Sequence, residues 1–235
     1  MKSSELKGFL TGLLIGDGSI DKGVTKRAFS IKSTDRSFVD KIQQEIESCT
    51  PFKCQVKYTP EHYSFGCNHK ESWELRIDAH PYFNKIYHKF YDDFRHRRIT
   101  KYIPKYMTAY GLAMWYMSDG YVCLVGKCKG IIRSRRIDFA TDRYSKTEIE
   151  NLQKMMLHKF AIKCSVIKRG EYYRLRVIKE SYQDFINLIF PYLIPSMYYK
   201  IYLGYEQQPL WMSDEMWNLQ CYIRSAVAQT GKAVG

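Results

Sequence analysis

The chain lacks any apolar run approaching the roughly 20 residues needed to span a bilayer as a helix, which argues against a helical membrane protein. Acid is scarce: 24 Asp and Glu stand against 37 Lys and Arg, a net charge of +13, so a cationic partner is a poor match. A regular cysteine framework is also missing. The seven cysteines, at 49, 54, 67, 123, 128, 164 and 221, form an odd and unevenly spaced set that does not read as a disulfide scaffold. Reduced thiols in an intracellular, reducing compartment are expected instead. Cys123 and Cys128 stand too far apart for a short zinc knuckle, and Cys67-Asn68-His69 has no second pair to complete a site. The apolar stretch 8–16 follows Lys2 and Lys7 as a secretion signal would, but it stops at Asp17 without a small-residue cleavage pattern.

What is present is a folded, basic, aromatic-rich chain. Its 45% apolar content supports a packed core rather than disorder, and 235 residues suffice for one large domain or two fused halves. The positive surplus points to a polyanion, nucleic acid before membrane.

Two apolar helical segments end in an Asp-Gly pair. One runs Leu10-Thr11-Gly12-Leu13-Leu14-Ile15-Gly16-Asp17-Gly18, the other Leu112-Ala113-Met114-Trp115-Tyr116-Met117-Ser118-Asp119-Gly120. The last carbonyls of a helix lack intrahelical partners and carry the negative end of its dipole, so a carboxylate there suits a bound cation better than a structural role. Text downstream recurs as well: Lys53-Cys54-Gln55-Val56 as Lys163-Cys164-Ser165-Val166, and Trp73-Glu74-Leu75-Arg76-Ile77 as Tyr173-Arg174-Leu175-Arg176-Val177. The offsets are 102 residues from Asp17 to Asp119, 110 from Cys54 to Cys164 and 100 from Leu75 to Leu175, which indicates a duplication.

Each copy reads as helix, two strands, helix, two strands, helix, an α+β arrangement with antiparallel sheets. In the first copy the helices are expected near 5–16, 35–48 and 80–92 and the strands near 26–33, 54–59 and 71–78. Phe29, Ile31, Cys54, Val56, Tyr58, Trp73, Leu75 and Ile77 form the inward parity, and Lys32, Gln55, Lys57, Glu74 and Arg76 the outward one. In the second copy Ile137, Phe139, Cys164, Val166, Tyr173, Leu175 and Val177 face inward, and Arg136, Asp138, Ser165, Arg174 and Arg176 outward. Three divisions follow: 1–104, 105–204, and an extension 205–235 that is helical over 213–227 through Met216, Leu219, Ile223 and Val227 and frayed beyond. Gly8, Gly12 and Gly16 form a small-residue stripe on the first helix, where the low helix propensity of glycine calls for a closely approaching backbone. Ala109, Ala113 and Ser118 are the small residues available to meet it, a packing that would bring Asp17 and Asp119 together.

The paired segments resemble the signature helices of the LAGLIDADG homing endonucleases in their single-chain, two-repeat form, and the resemblance covers about residues 5–204. It implies two pseudo-symmetric αββαββα halves whose sheets form a saddle over double-stranded DNA. It implies a site-specific double-strand break with short 3′ overhangs at a long, partly asymmetric target, made by a monomer. Asp17 and Asp119 match the family's metal-binding catalytic acids, with the Gly16 and Ser118 carbonyls beside them. The oxygen-rich donor set suits Mg²⁺, with Mn²⁺ able to substitute and Ca²⁺ able to bind without supporting cleavage. Lys101 and Lys200 resemble the basic residues placed beside each acid. The second motif departs from the pattern at Met114, and Trp115, Tyr116 and Met117 are bulky, so the helix seam is expected to be asymmetric.

On the outward faces Gln55, Glu74, Arg76, Arg136, Arg174 and Arg176 are candidates for base contacts, with Asp138 and Ser165 on the same parity. Lys32, Lys57, Lys163 and Lys168 are phosphate-contact candidates. Ser33 and Thr141 match the family's polar residues at strand ends. Arg133 and Arg135, with Arg136, read as a loop reaching the DNA backbone, and 124–131 as a mobile hairpin tip facing DNA. Two other readings use the same scaffold: an RNA maturase that assists intron splicing, and a noncatalytic DNA-binding regulator, which would be expected to have lost an acid.

Overall fold

Helix α1 (Ser3–Ile15) opens the chain and leads through a turn into the short strand β1 (Ser19–Ile20) and strand β2 (Arg27–Ser33). The computed structural model describes residues 3–21, 27–128, 131–205, 208, 210 and 212–230, and their side chains except those of 3, 124–135 and 230. Helix α2 (Arg36–Cys49) starts where Asp35 accepts a hydrogen bond from the Phe38 amide at 3.1 Å, satisfying one of the orphan donors of the first turn. Its buried stripe, Phe38, Val39, Ile42 and Ile46, falls at helical spacing and lies against the sheet.

Strands β3 (Cys54–Thr59) and β6 (Ser72–His80) complete the first sheet, in the order β1-β2-β6-β3 and antiparallel throughout. Between them β4 (His62–Ser64) and β5 (Cys67–His69) make a separate hairpin that sequence periodicity does not reveal. Helix α3 (Pro81–Phe90) and the single-turn α4 (Tyr102–Tyr106) close this half.

The second half repeats the plan. Helix α5 (Ala109–Asp119) leads into the hairpin β7 (Gly120–Cys128) and β8 (Ile131–Phe139), then α6 (Lys146–Phe160), β9 (Cys164–Arg169), β10 (Tyr172–Val177) and α7 (Tyr182–Ile189). The sheet order β7-β8-β10-β9 reproduces that of the first sheet. A capping box between Ser145 and Glu148 starts α6, and Ala161 in the left-handed region (φ 57°) ends it. Helix α8 (Asp214–Thr230) follows, burying Met216, Ile223 and Val227. The chain divides into compact units Met1–Gly111 and Leu112–Gly235, with the boundary inside α5.

The first core is built from Phe9, Leu13 and Leu14 of α1, Phe29 and Ile31 of β2, Leu75 and Ile77 of β6, and Phe83 of α3, all at most 1% exposed. The inward parity extends less far than alternation implies. Cys54 and Val56 are half-buried and Tyr58 is 50% exposed, because β3 is an edge strand, and Trp73, which pairs with Tyr58 from β6, is half-buried too. The Tyr58 ring instead lies against Trp73, and its hydroxyl donates to Glu71 at 3.0 Å. In the second core Val166 and Tyr173 are likewise half-buried, whereas Ile137, Phe139, Leu175 and Val177 are fully enclosed. In α8 it is Gln220 rather than Leu219 that is buried: its side chain accepts from the Leu203 amide and donates to the Ile201 carbonyl.

Candidate nucleic-acid interface and helix ends

In the first unit the glycine stripe meets backbone. A β-carbon on Gly12 would lie 1.8 Å from the Gly111 carbonyl oxygen, one on Gly111 would lie 2.2 Å from that of Gly8, and one on Gly8 would strike the Thr108 side chain. Thr108 and Gly111, not the alanine expected at 109, supply this close approach. They are hard to find from sequence because Gly111 follows Tyr110 at the start of α5, outside the Asp-Gly signature.

The helix leads to Asp17 through the buried Gly16. Asp17 is exposed, and its carboxylate has no ion-pair or hydrogen-bond partner among the described residues. The Gly18 amide donates to the Leu13 carbonyl at 2.8 Å, closing the helix. The carbonyl just before the acid, that of Gly16, accepts from Arg97 Nη1.

The second unit has the same construction from different residues. Asp119 is half-buried, and its own carbonyl accepts from the Ala140 amide at 2.9 Å, joining the helix end to the sheet. The carbonyls of Met117 and Ser118 both accept from Lys200 Nζ. A cation on the last carbonyls opposes the negative end of the helix dipole beside the acid. The bulky residues of α5 are core: Met114, Trp115 and Tyr116 are inaccessible, and Met117 is 1% exposed. Tyr116 fits because residue 120 is glycine; a β-carbon there would lie 2.0 Å from the Tyr116 ring. Burial pushes the Tyr116 phenol well above its ordinary pKa, and the hydroxyl donates to the Lys200 backbone carbonyl.

Lys200 therefore stands beside its acid-bearing helix end. Lys101 is exposed, occupies the position before α4, and places Nζ 5.8 Å from the Tyr102 ring. The cation that reaches the end of α1 is Arg97.

The two sheets present matching polar rows. Strand pairing aligns Ser19, Ser30, Arg76 and Gln55 across the first sheet and Tyr121, Asp138, Arg176 and Ser165 across the second. A second row in the first sheet runs Lys32, Glu74, Lys57, so the half-buried carboxylate lies between two exposed ammonium-bearing residues. Arg76 is exposed and pairs with Asp21 at 3.0 Å; Gln55 donates to Asp78 at 3.2 Å.

The arginines of the second sheet are held more tightly. Arg176 makes two bonds to Asp138, at 2.7 and 3.0 Å, and Arg174 makes two to Asp142, at 2.8 and 2.7 Å, while also donating to Tyr121. Both guanidiniums are held more firmly protonated than usual, first by these carboxylate hydrogen bonds.

Several of the candidate DNA-contact residues are enclosed or lie on the other parity. Asp138 has outward parity but is only 1% exposed, because Arg176 and Arg136 close over it from the neighbouring strand and its own. Thr141 is inaccessible and donates to the Tyr173 carbonyl at 3.0 Å, and the Ser33 hydroxyl accepts from the Asp35 amide at 3.1 Å. Lys168 pairs with Tyr173 and so lies on the parity opposite Ser165, where Arg169, missed by sequence reasoning, takes the outward place. Lys163 keeps the outward parity and is exposed. The side chains of Arg133 and Arg135 lie outside those described. The expected tip at 124–131 is partly outside as well; β7 and β8 remain paired as far as Cys128 and Ile131.

No group of three or more His, Cys, Asp or Glu gathers as a metal site among the described residues. Each unit separately offers oxygen donors that could hold a divalent ion: Asp17 with the Gly16 carbonyl in the first, Asp119 with the Ser118 carbonyl in the second. These are hard oxygen donors, and the partner-free Asp17 carboxylate fits such an ion. The Gly16 and Ser118 oxygens already accept from Arg97 and Lys200, but a carbonyl oxygen has a second lone pair. The six cysteines whose side chains are described are free thiols, and no helix among the described residues is long and apolar enough to cross a membrane.

Comparison with known proteins agrees with this architecture. Among curated relatives, the chain is 28% identical over 132 residues to a probable intron-encoded endonuclease 1 of Wickerhamomyces canadensis, covering 55% of this chain and 55% of that protein. It is 30% identical over 133 residues to the intron-encoded endonuclease ai4 of Dictyostelium discoideum (56% and 77%), and 32% identical over 127 residues to the cytochrome b mRNA maturase bI2 of Saccharomyces cerevisiae (51% and 28%). The match thus spans about half the length of the Wickerhamomyces relative. The homing endonuclease I-WcaI, solved bound to its DNA recognition sequence, shares the fold with a TM-score of 0.72 at 22% identity, over 86% of this chain and 88% of that one. Residues 7–185 match the sequence profile of the LAGLIDADG DNA endonuclease family, and the chain belongs to that family.

Proposed function

We propose that the protein is a site-specific DNA endonuclease that makes a divalent-metal-dependent double-strand break with short 3′ overhangs. The observation that carries this reading is the duplicated helix end: an acid follows each of two equivalent helices, and a cation is bound to the carbonyl preceding each acid. Asp17 and Asp119 would hold Mg²⁺, or Mn²⁺ in its place, with the Gly16 and Ser118 carbonyls as further oxygen donors; Ca²⁺ would bind without supporting cleavage. Such an ion supplies charge neutralisation at a scissile phosphate and lowers the pKa of a bound water. Lys200 and a basic residue of the first unit would stabilise developing phosphate charge. The outward residues Lys32, Gln55, Lys57, Glu74 and Arg76, and Arg136, Lys163, Ser165, Arg174 and Arg176 with Arg169, would meet double-stranded DNA, with Ser33 and Lys168 on the opposite parity as further candidates. Because both acids lie in one chain, a monomer would carry two cutting centres. The free thiols suit a reducing intracellular compartment.

A plasmid bearing the target should be linearised by the purified protein only when a divalent metal is added, and Asp17→Asn should abolish at least one strand cut. Tight binding of the target in Mg²⁺ without any cutting would sink the reading. A second activity, binding of the intron RNA as a splicing maturase, is favoured by the similarity to the yeast cytochrome b maturase. Splicing assays with the host intron separate it from cleavage. A noncatalytic regulator is disfavoured by the presence of both acids.

A further inference from the structure

We infer that Arg97, rather than Lys101, is the basic positioning residue of the first acid-bearing helix end, acting through the Gly16 carbonyl as Lys200 acts through that of Ser118. The inference rests on the endonuclease reading above and assigns a residue within it.

Three observations carry it. The contacts are equivalent: Gly16 and Ser118 each immediately precede the acid, and each carbonyl accepts from a side-chain cation of the same unit. The spacing agrees: Arg97 lies 80 residues after Asp17, and Lys200 lies 81 after Asp119, whereas Lys101 lies 84 after its acid. The segment carrying Arg97 is also built to deliver it. Residues 91 and 97 form a β-bridge, the Asp92 amide donates to the His96 carbonyl, and Arg95 takes a left-handed conformation (φ 66°), so the chain doubles back toward α1. The Tyr91 hydroxyl accepts from the Ile20 amide at 3.0 Å, tying that turn to the strand that follows Asp17.

Chemically, the guanidinium does what an ammonium does at the other end, with a difference. It opposes the helix dipole and fixes the carbonyl next to the acid without forming an ion pair with Asp17, which leaves the carboxylate available. Its planar fork spends one N–H on Gly16, and Nε is buried without a hydrogen-bond partner, so the side chain is held by that one bond and by packing.

Gly16-Asp17 is the sole Gly-Asp pair in the chain, so labelling glycine carbonyls with ¹³C and aspartate amides with ¹⁵N gives a single correlation that reports the Gly16 carbonyl. Arg97→Met should shift that signal and Lys101→Met should leave it in place; the opposite pattern overturns the assignment. On target DNA, Arg97→Met should slow by about tenfold or more the same strand cut that Asp17→Asn slows, leaving the other strand and the DNA affinity nearly unchanged, and Arg97→Lys should restore most of the rate. Equal slowing of both strands, a loss tracking thermal stability, or failure of lysine to rescue would show a merely structural arginine and overturn the proposal. A wild-type chain that cuts no DNA would sink the endonuclease reading, and with it the cutting role, whereas the carbonyl signal still decides the contact.

Discussion

Tyr116 donates its hydroxyl to the backbone carbonyl of Lys200 at 2.7 Å, while the ammonium of the same lysine reaches the carbonyls of Met117 and Ser118. The lysine is thus fixed at both ends by the helix whose acid it accompanies. Tyr116→Phe keeps the ring packing and removes only the donor. We expect a stability loss of about 1 kcal/mol in urea titrations, the usual range for one hydrogen bond. The strand cut assigned to Asp119 should slow, and the one assigned to Asp17 should not.

The backbone contact at Gly12 permits no side chain. Gly12→Ala places a β-carbon 1.8 Å from a carbonyl oxygen that belongs to helix backbone, so relief requires moving a helix. Overpacking of this kind typically costs about 1–3 kcal/mol, and this rigid case should fall at or above the top of that range, read as a lowered melting temperature. Gly120→Ala should also destabilise, through the Tyr116 ring rather than through backbone.

Thiol chemistry should follow burial. Burial pushes Cys164 up to about 12, and burial followed by the Glu47 and Asp78 charges pushes Cys54 up to about 12. At mildly alkaline pH a thiol reagent should modify the exposed Cys67 and Cys221 first, with Cys164 last, as mass mapping would reveal. The raised thiols also set a sign. The folded state holds these protons more tightly than the unfolded state, so their contribution is fully present below about pH 8.5, the ordinary thiol value. Stability should fall as pH rises from there towards 12, and Cys164→Ala should flatten that slope.

The outward face of β9 gives a binding prediction. If Arg169 meets a phosphate, Arg169→Ala should weaken target binding and reduce the slope of log affinity against log salt by about 0.9. Lys168→Ala, on the opposite parity, should change the slope less. Equal effects would show that strand parity does not sort the contacts.

Removing Asp138 should be severe. It is 1% exposed and bound by Arg176 through two bonds, with Arg136 Nε 3.5 Å away. Asp138→Ala strands two arginines beside a partly buried site, and breaking such a pair typically costs about 3–5 kcal/mol. Chemical denaturation would measure it.

Periodicity and repetition reveal much of this molecule. The α2 stripe Phe38, Val39, Ile42 and Ile46 and its Asp35 cap follow from local rules, and the two Asp-Gly ends follow from their recurrence. Alternation located Leu75 and Leu175 in the cores. It overreached at Tyr58, because parity alone does not identify an edge strand, and at Asp138, because parity says which way a side chain points and not what closes over it. The role of Arg97 depends on a tight turn over 91–97 whose geometry no local hydrophobic pattern encodes. Ser19 and Ile20 form a strand too short to show a period, and β4 and β5 are three residues each.

The difference between the two sheets bears on how the proposed DNA target could change. In the first sheet Lys32, Gln55, Lys57 and Arg76 are exposed, so single substitutions there leave the remaining scaffold intact. In the second, Arg176 and Arg174 are clamped by Asp138 and Asp142, and exchanging one partner alone orphans the other. If the sheets meet DNA as proposed, drift in recognition should proceed residue by residue in the first half and by coordinated acid–base pairs in the second, making the amino-terminal half the faster route to a new DNA sequence.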